Sequence, residues 1–571
     1  MKSISTRAFV LSCFLQFGIN SNAQPLSGNY TINQSLPTGG TNFISFTDFA
    51  ARLSTDGVSG NVTAVVDAAN VYTEQVTFHT IPGAGQNATV TLDGNLATIE
   101  AITTTTDRHV IRLQDVSWMT IQGLNVNYNA ASTGGYYAIH IYDSASHVNI
   151  INNNILMGST STLHGGIVAS GSLTSILDPG NFDHILISNN SIESGGYGVS
   201  VYGDANDLAT QVEISGNAIT DFADNGIYIR ETDSIHILGN LLVKNANIIS
   251  SANAIQIAQN ANINAIIEGN SIQINQQNNG SQTIRGIYLF NGTGHKVFNN
   301  EVTNVALTSG NFTGIEVRSS ATAPEIYFNT ISIDDTNSAS GNFMGIAEEL
   351  SNTNSVLRNN LISITKPGTG TRAGLKLGAT STLTTALNSN YNDLWVPVGN
   401  VAIKGSSTPV LYPNLSDWQT ASAQDAISVS LDPLFSSTFT LHPTNSLLDN
   451  LGTPIAGISD DKDGNPRDPI TPDIGAYEYF ITNISVADVQ FQNNTYPNPS
   501  RGKFALMTPE LATGEICIQL FSASGKLCLE KNTIVNNHQT ELTIDNLSPG
   551  IYLLSWNWHE KKYFSRIAIV N

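Results

Sequence analysis

Apolar and polar residues alternate in short bursts along residues 124–394, and the bursts return with a regular period. One phrase, Ile-x-Asn-Asn-x-Ile or a variant, aligns on Asn153, Asn190, Asn217, Asn240, Asn270, Asn300, Asn329, Asn360 and Asn392, at intervals of 37, 27, 23, 30, 30, 29, 31 and 32. A second phrase, Gly/Ala-Ile-x-hydrophobic, places Ile139, Ile167, Val199, Ile227, Ile255, Ile287, Ile315, Ile346 and Leu375 at intervals of 28 to 32. Two independent markers with one period define an internal repeat. Within each phrase the apolar residues alternate, as in Ile227-Tyr228-Ile229, which is the period of a strand and not of a helix.

Strands this short cannot stand alone, and a two-strand unit cannot bury its apolar face. Stacking coils of about 29 residues at the inter-strand spacing of about 4.8 Å solves both problems. The Ile, Val and Leu positions then form one interior stack. Asn at a fixed turn position tolerates left-handed backbone, and its amide can bond the same amide one coil away. Glycines before the second phrase (Gly198, Gly226, Gly286, Gly314, Gly345, Gly374) mark another corner. The predicted fold is all-β: a single-handed parallel β-helix, or solenoid, followed by a small C-terminal β-sandwich. A leucine-rich repeat fails because the period has no helical segment and no fixed Leu spacing.

Composition fits a solenoid, with only 12% charged residues over 571 positions. A formal charge of −21, without a basic stripe to neutralise phosphates, argues against nucleic acid as a partner. Residues 1–23 read as a signal peptide: Lys2 and Arg7, an apolar stretch over 8–19, then Ser21-Asn22-Ala23 before a cut at Gln24. The apolar stretch is too short for a membrane span, and no transmembrane segment is expected in the mature chain. Val10-Leu11-Ser12-Cys13 only superficially matches a lipoprotein cleavage box. Cleavage leaves Cys517 and Cys528, which either pair across a hairpin or serve as small apolar residues. A monomer is expected.

Residues 24–100 are expected to hold an N-terminal cap and the first coils. Phe46, Phe49, Ala50 and Leu53 have helical spacing, and an amphipathic helix there would cover the open end of the stack. With Tyr72-Thr73-Glu74-Gln75-Val76 following, the stretch resembles the N-terminal part of exported right-handed parallel β-helix proteins from bacteria that use type IX secretion. The β-helix is expected over 101–480. Residues 451–479, with Asp461-Lys462-Asp463-Gly464-Asn465 and Asp473-Ile474-Gly475-Ala476-Tyr477-Glu478-Tyr479, look like that family's closing coil. Asp461, Asp463 and Asn465 also have the alternate spacing of a calcium loop, but the bidentate acid is missing and only Asp468 is near; a structural turn is the competing reading. No other cofactor is implied.

A polar linker (481–494) leads to a separate domain at 495–571. Tyr496-Pro497-Asn498-Pro499, a Gly525-Lys526 hairpin and Leu547-Ser548-Pro549-Gly550-Ile551-Tyr552 punctuate period-two strands. These motifs resemble the type A sorting domain of type IX secretion, with Arg566 where the family usually has Lys. The resemblance implies the type IX machinery as a partner, passage across the outer membrane, and a secreted or cell-surface location. A carbohydrate-binding sandwich is the competing reading, since a fold alone does not fix function.

Outward residues of successive coils stack into columns, so a site in such a fold assembles across coils. The x column runs His140, Val168, Ser200, Tyr228, Gln256, Tyr288, Glu316, Ala347, Lys376, and the column two residues on includes Tyr142, Tyr202, Arg230, Phe290, Arg318 and Glu349. Tyr202, Tyr228, Arg230, Tyr288, Phe290, Glu316 and Arg318 are the candidate ligand-binding residues. Their rings offer apolar faces to sugars and their guanidinium groups grip carboxylate or sulfate in paired hydrogen bonds. Exposed strands favour Tyr and Phe in any case. A polysaccharide or surface glycan is the expected ligand. Acid pairs suited to glycoside hydrolysis are Asp334-Asp335, Glu348-Glu349 and Asp204/Asp207. Glu348 aligns with the inward Val317 and Leu289. For an elimination lyase, Tyr228 or Lys376 would be the base and Arg230 or Arg318 the cation. His140, His147, His164, His184 and His236 lack metal-ligand spacing and read as turn or surface residues. A glycan-binding or adhesive protein and a polysaccharide lyase or glycoside hydrolase on the same groove are the two function classes left, and no catalytic residue is assigned.

Overall fold

The computed structural model describes residues 24–570 apart from 159, 247, 259–261, 350–352, 438, 480–489, 492–494, 509–513, 523–525, 537–538, 545–546 and 559–560. The stretch read as a signal peptide, most of the stretch read as a linker, and Ser524-Gly525 at the expected hairpin therefore lie outside the described residues. Two compact units result, residues 1–479 and 480–571.

The first unit is a solenoid of parallel strands. The Ile positions pair coil to coil in one register, from Ile139 with Ile167 through Val199, Ile227, Ile255, Ile287 and Ile315 to Ile346 and Leu375. All are buried. In each coil a first strand such as Tyr197–Tyr202 leads into a second, Ala209–Ser215, and then a short third, Ala218–Thr220. The third strands form a 12-stranded sheet running from Val71–Thr73 to Asp393–Trp395.

The Asn ladder is present and buried from Asn153 to Asn392. From Asn190 onward each side-chain oxygen accepts two donors from the coil before it, and Asn153 Oδ1 accepts Leu124 N. Asn217 N and Nδ2 both donate to Asn240 Oδ1 at 2.9 Å, while Asn240 Nδ2 donates to Ile214 O at 2.8 Å and to Asn270 Oδ1 at 2.9 Å. One expectation needs correction. The left-handed residue is not the ladder Asn but its predecessor: Asn152, Asn189, Gly216, Gly239, Gly269, Asn299, Phe328 and Asn359 all have positive φ. The ladder residue is thereby free to turn its amide inward. The glycines before the second phrase serve close approach, because a Cβ on Gly198 would lie 2.6 Å from Gly226 O and one on Gly286 would lie 2.4 Å from Gly314 O.

Both ends of the stack are covered. The expected helix spans Phe46–Asp56 and buries Phe46, Phe49, Ala50 and Leu53, with Ser45 capping its N-terminus by accepting from Asp48 N. The Tyr-Thr-Glu-Gln-Val phrase acquires a physical reason here. Tyr72 donates to Ile32 O at 2.8 Å, and Glu74 accepts from Phe46 N and Thr47 N, both at 3.0 Å, at the positive end of the helix. Gln75 reaches His109 O at 2.8 Å. At the far end a helix over Leu415–Ser422, which the hydrophobic pattern did not reveal, buries Trp418 and ties its indole N–H to Asp425 Oδ2 at 2.8 Å.

The closing segment then returns along the third-strand side of the stack. Glu301 accepts from Leu441 N at 2.9 Å and from the Tyr477 hydroxyl at 2.5 Å. Arg467 lies 3.8 Å above the Phe328 ring, pairs with Glu478 at 2.9 Å and donates to Asn299 Oδ1 at 2.8 Å.

The second unit holds a five-stranded and a three-stranded sheet, with Ile516, Ile518, Leu520, Leu542, Leu554, Trp556 and Ile567 in its core. Cys517 and Cys528 are exposed free thiols. Among the described residues no helix is long and apolar enough to cross a membrane.

Candidate ligand-binding site

Strand pairing places the two outward columns in the expected register. Ser200, Tyr228, Gln256, Tyr288, Glu316, Ala347 and Lys376 are successive partners, and Tyr202 pairs with Arg230. The seven candidate residues nevertheless do not line one exposed groove. Tyr202, Tyr228, Tyr288 and Glu316 are all less than a tenth exposed, because the ring faces expected to receive a sugar are already covered by neighbours. Arg230 lies 4.4 Å over the Tyr202 ring, Arg285 lies 4.6 Å over Tyr288 and Arg318 lies 5.0 Å over Phe290. Tyr228 packs edge-on to Tyr197 at 5.7 Å in a small apolar cluster with Tyr137, Val168, Ile176 and Ala258. A coil carrying Gln256 and Ala258 separates the Tyr202/Tyr228/Arg230 group from the remaining four residues.

Those four belong to a polar assembly on the later coils. An open depression of about 290 Å³ there is lined by Arg285, Glu316, Arg318, Glu349 and Lys376, with Thr283, Asn311, Asn342, Thr371 and Ser406 around them. Arg285 pairs with Glu316 at 2.6 Å and Lys376 with Glu349 at 2.5 Å. Arg318 differs: it donates to the Tyr288 hydroxyl at 3.1 Å and forms no ion pair among the described residues. Burial pushes the Glu316 carboxyl above its ordinary range, opposed by Arg285 and reinforced by Glu349. Burial also raises the Tyr288 hydroxyl, with Glu316 adding to the shift and both arginines opposing it.

Arg285 escaped the sequence reading for a definable reason. Strict alternation counts only the x position and the one two later as outward. The bend at Gly286 breaks that alternation, so the residue before the glycine faces outward as well. The recurrence of polar residues there (Asn225, Asn253, Arg285, Thr313) was the available signal.

The catalytic candidates find other surroundings. Burial raises the Tyr228 hydroxyl, and Lys376 is engaged by Glu349. Glu348 points inward as expected, in register with Val317, and burial pushes its carboxyl up. Asp335 pairs with the buried Lys366 at 2.6 Å, and Asp204 and Asp207 lie in a turn where Asp204 accepts from Asn206 N. His140 and His164 are buried, unlike the surface placement expected of them. At the calcium-like spacing, Asp461 Oδ1 accepts from Asp463 N and Asn465 N, and its Oδ2 from Asn465 Nδ2 and Glu478 N, which is the geometry of a tight turn. Asp468 accepts from Ile470 N and Thr471 N.

Two family models match the chain. Residues 175–331 match the right handed beta helix region and residues 494–570 match the secretion system C-terminal sorting domain. No curated protein matches. Among solved structures the chain is similar to pectate lyase Pel9A, at 12% identity and a TM-score of 0.30, covering 80% of this chain and 98% of that one. The protein is an exported right-handed parallel β-helix carrying a type IX secretion sorting domain.

Proposed function

We propose that the protein binds an anionic polysaccharide at the cell surface or in the extracellular space, through the depression around Arg318. The observation that carries this reading is the uneven pairing of its cations. Arg285 and Lys376 are each neutralised by a glutamate at 2.6 and 2.5 Å, whereas Arg318 is oriented by a neutral hydroxyl and keeps its charge for a ligand. A guanidinium fixed in this way suits bidentate capture of a uronate carboxylate or a sulfate. Asn311, Asn342, Thr283 and Thr371 supply hydrogen-bonding groups for ring hydroxyls.

A second reading, cleavage of the same polymer, has one observation in its favour. Glu316 and Glu349 sit diagonally on adjacent coils and line one depression, close enough for the Glu349 charge to raise the Glu316 carboxyl, and a glycosidase also works with two neighbouring carboxyl groups. Both carboxylates hold a cation, however, and a general acid must be free to carry a proton. Binding is therefore the preferred reading. Incubation with a panel of neutral and anionic polysaccharides, scoring both retention and new reducing or unsaturated ends, tests it. Retention on anionic polymers without new ends is expected. New ends would establish the enzymatic reading, and loss of retention on every anionic polymer would remove both.

A further inference from the structure

The second strands present another outward surface, and it carries a groove of about 570 Å³, roughly twice the volume of the Arg318 depression. One wall of the groove is a column of residues in left-handed backbone, one per coil: Trp118, His147, His184, Gln211 and Ser234, with φ of 58°, 55°, 52°, 50° and 58°. The column continues through Asn264, Gly294, Ala323 and Asn354. Left-handed backbone costs free energy for a residue with a bulky side chain, and Gly and Asn bear it most easily. Of the later coils, those with Asn264, Gly294 and Asn354 follow that preference and the one with Ala323 does not. Three adjacent coils instead hold an indole and two imidazoles.

Their rings stack, with centroids 3.8 Å apart for Trp118 and His147 and 4.2 Å for His147 and His184, and interplanar angles of 16° and 10°. Core packing does not account for them, because the His184 side chain is 38% exposed and the other two are half-buried. A strained Trp118, stacked on imidazoles that face a groove and not the core, points to a ligand. Beside them Thr120, Asn149, Leu186, Glu213 and His236 follow one another in register. Asn149 donates to Thr120 Oγ1 at 3.1 Å, and His236 is engaged by Glu268 at 3.2 Å. The Glu213 carboxylate has no hydrogen bond or ion pair among the described residues. With Asp183 held by His184 and Thr210 nearby, the groove offers acceptors and no unpaired Lys or Arg. An anionic polymer is disfavoured there.

We propose that this groove binds an uncharged oligosaccharide lying along the solenoid axis, its C–H groups against the outward ring edges of the Trp118–His147–His184 stack, whose inner faces cover one another, and its hydroxyls on Thr120, Asn149 and Glu213. Coils repeat at about 4.8 Å, so the four steps from Trp118 to Ser234 span about 19 Å, room for about four pyranose units. The site is separate from the Arg318 depression and selects by different chemistry, so the two readings fail independently.

The test is calorimetric titration of the full chain with cellohexaose, xylohexaose and mannohexaose, with hexagalacturonate as the anionic comparison. At least one neutral hexasaccharide should bind. Trp118→Asn and Glu213→Gln should each weaken it about tenfold, the scale of losing an anchor contact, and Arg318→Ala should not change it. A second readout separates a ligand contact from a structural one: Trp118→Asn and His184→Asn should leave the melting temperature unchanged or raise it, because Asn suits left-handed backbone. Failure of all three neutral hexasaccharides to bind overturns the proposal, as does affinity unaffected by both Trp118→Asn and Glu213→Gln. A clear drop in melting temperature for both Asn variants overturns it too, since the stack would then be structural.

Discussion

Each coil makes two left-handed corners five residues apart, and the two columns they form are filled by opposite rules. The column beside the ladder holds Gly123, Asn152, Asn189, Gly216, Gly239, Gly269, Asn299, Phe328, Asn359 and Tyr391. Apart from Phe328 and Tyr391, every occupant is one that such backbone favours. Phe328 has a visible reason to be there, because the closing segment lays Arg467 over its ring. The outer column holds Trp118, His147, His184, Gln211 and Ser234 before it reverts to Asn264 and Gly294. Backbone demand is the same at both corners, so the difference in occupants reports what the side chains are used for. Beside the ladder the corner serves the fold. On the groove, three coils accept strain to present rings.

Disrupting the ladder gives the largest expected effect. Asn240→Ala removes two donor bonds, leaving Ile214 O short of a donor, and strands the buried Asn217 N–H, while the Asn217 amide keeps Ile187 O. Each buried group left unsatisfied costs about 1–3 kcal/mol, so denaturant melts should lose about 4 kcal/mol. A loss below 1 kcal/mol would mean that the ladder is not the element holding this corner.

Two pairs of histidines on neighbouring coils supply the next contrast. Burial, then His109 and Arg112, hold the His140 imidazole down to about 3, and burial with Arg112 holds His109 down to about 4. In the unfolded chain both titrate near pH 6.5. Below that pH the unfolded chain binds protons that the folded chain refuses, so stability is full above about 6.5 and falls as the pH drops toward the folded values. The loss approaches about 1.4 kcal/mol per pH unit for each histidine, or about 3 kcal/mol each by pH 4.5. Thermal melts from pH 7 to 4.5 should decline, and His140→Gln should flatten the decline. The half-exposed His147 is also lowered, by slight burial and by His184, and its replacement should change the slope far less.

How much of this was legible in the sequence follows from the same contrast. Period and register were readable because Ile227, Asn240 and their equivalents serve the fold in every coil, and repetition exposes them. The outward columns were also placed correctly. Their covering was not, because Arg230 of the next coil over Tyr202, and Arg285 of the same strand over Tyr288, leave no periodic trace. The Trp118–His147–His184 stack was invisible for a related reason. Its residues are 29 and 37 positions apart and share no phrase, and their common backbone conformation exists only in the folded chain.

Smaller substitutions isolate the backbone contribution. Gly239 has φ 61° and open space where a Cβ would go, so Gly239→Ala measures strain alone and should cost about 1–2 kcal/mol. His184→Asn is the converse and should gain at most about 1 kcal/mol by the same argument. Chemical denaturation of the two variants side by side checks both signs, and equal losses would erase the distinction between the columns.

The claim that the outer faces exist to bind glycans is tested most directly on Arg318. Titration of hexagalacturonate into the full chain and into Arg318→Ala, each at low and at moderate salt, should give measurable affinity for the parent that weakens as salt screens the contact. The variant should bind at least about tenfold more weakly and lose most of that salt dependence, as expected when one charge-assisted pair is removed. Equal affinity and equal salt dependence in the two proteins would contradict the account.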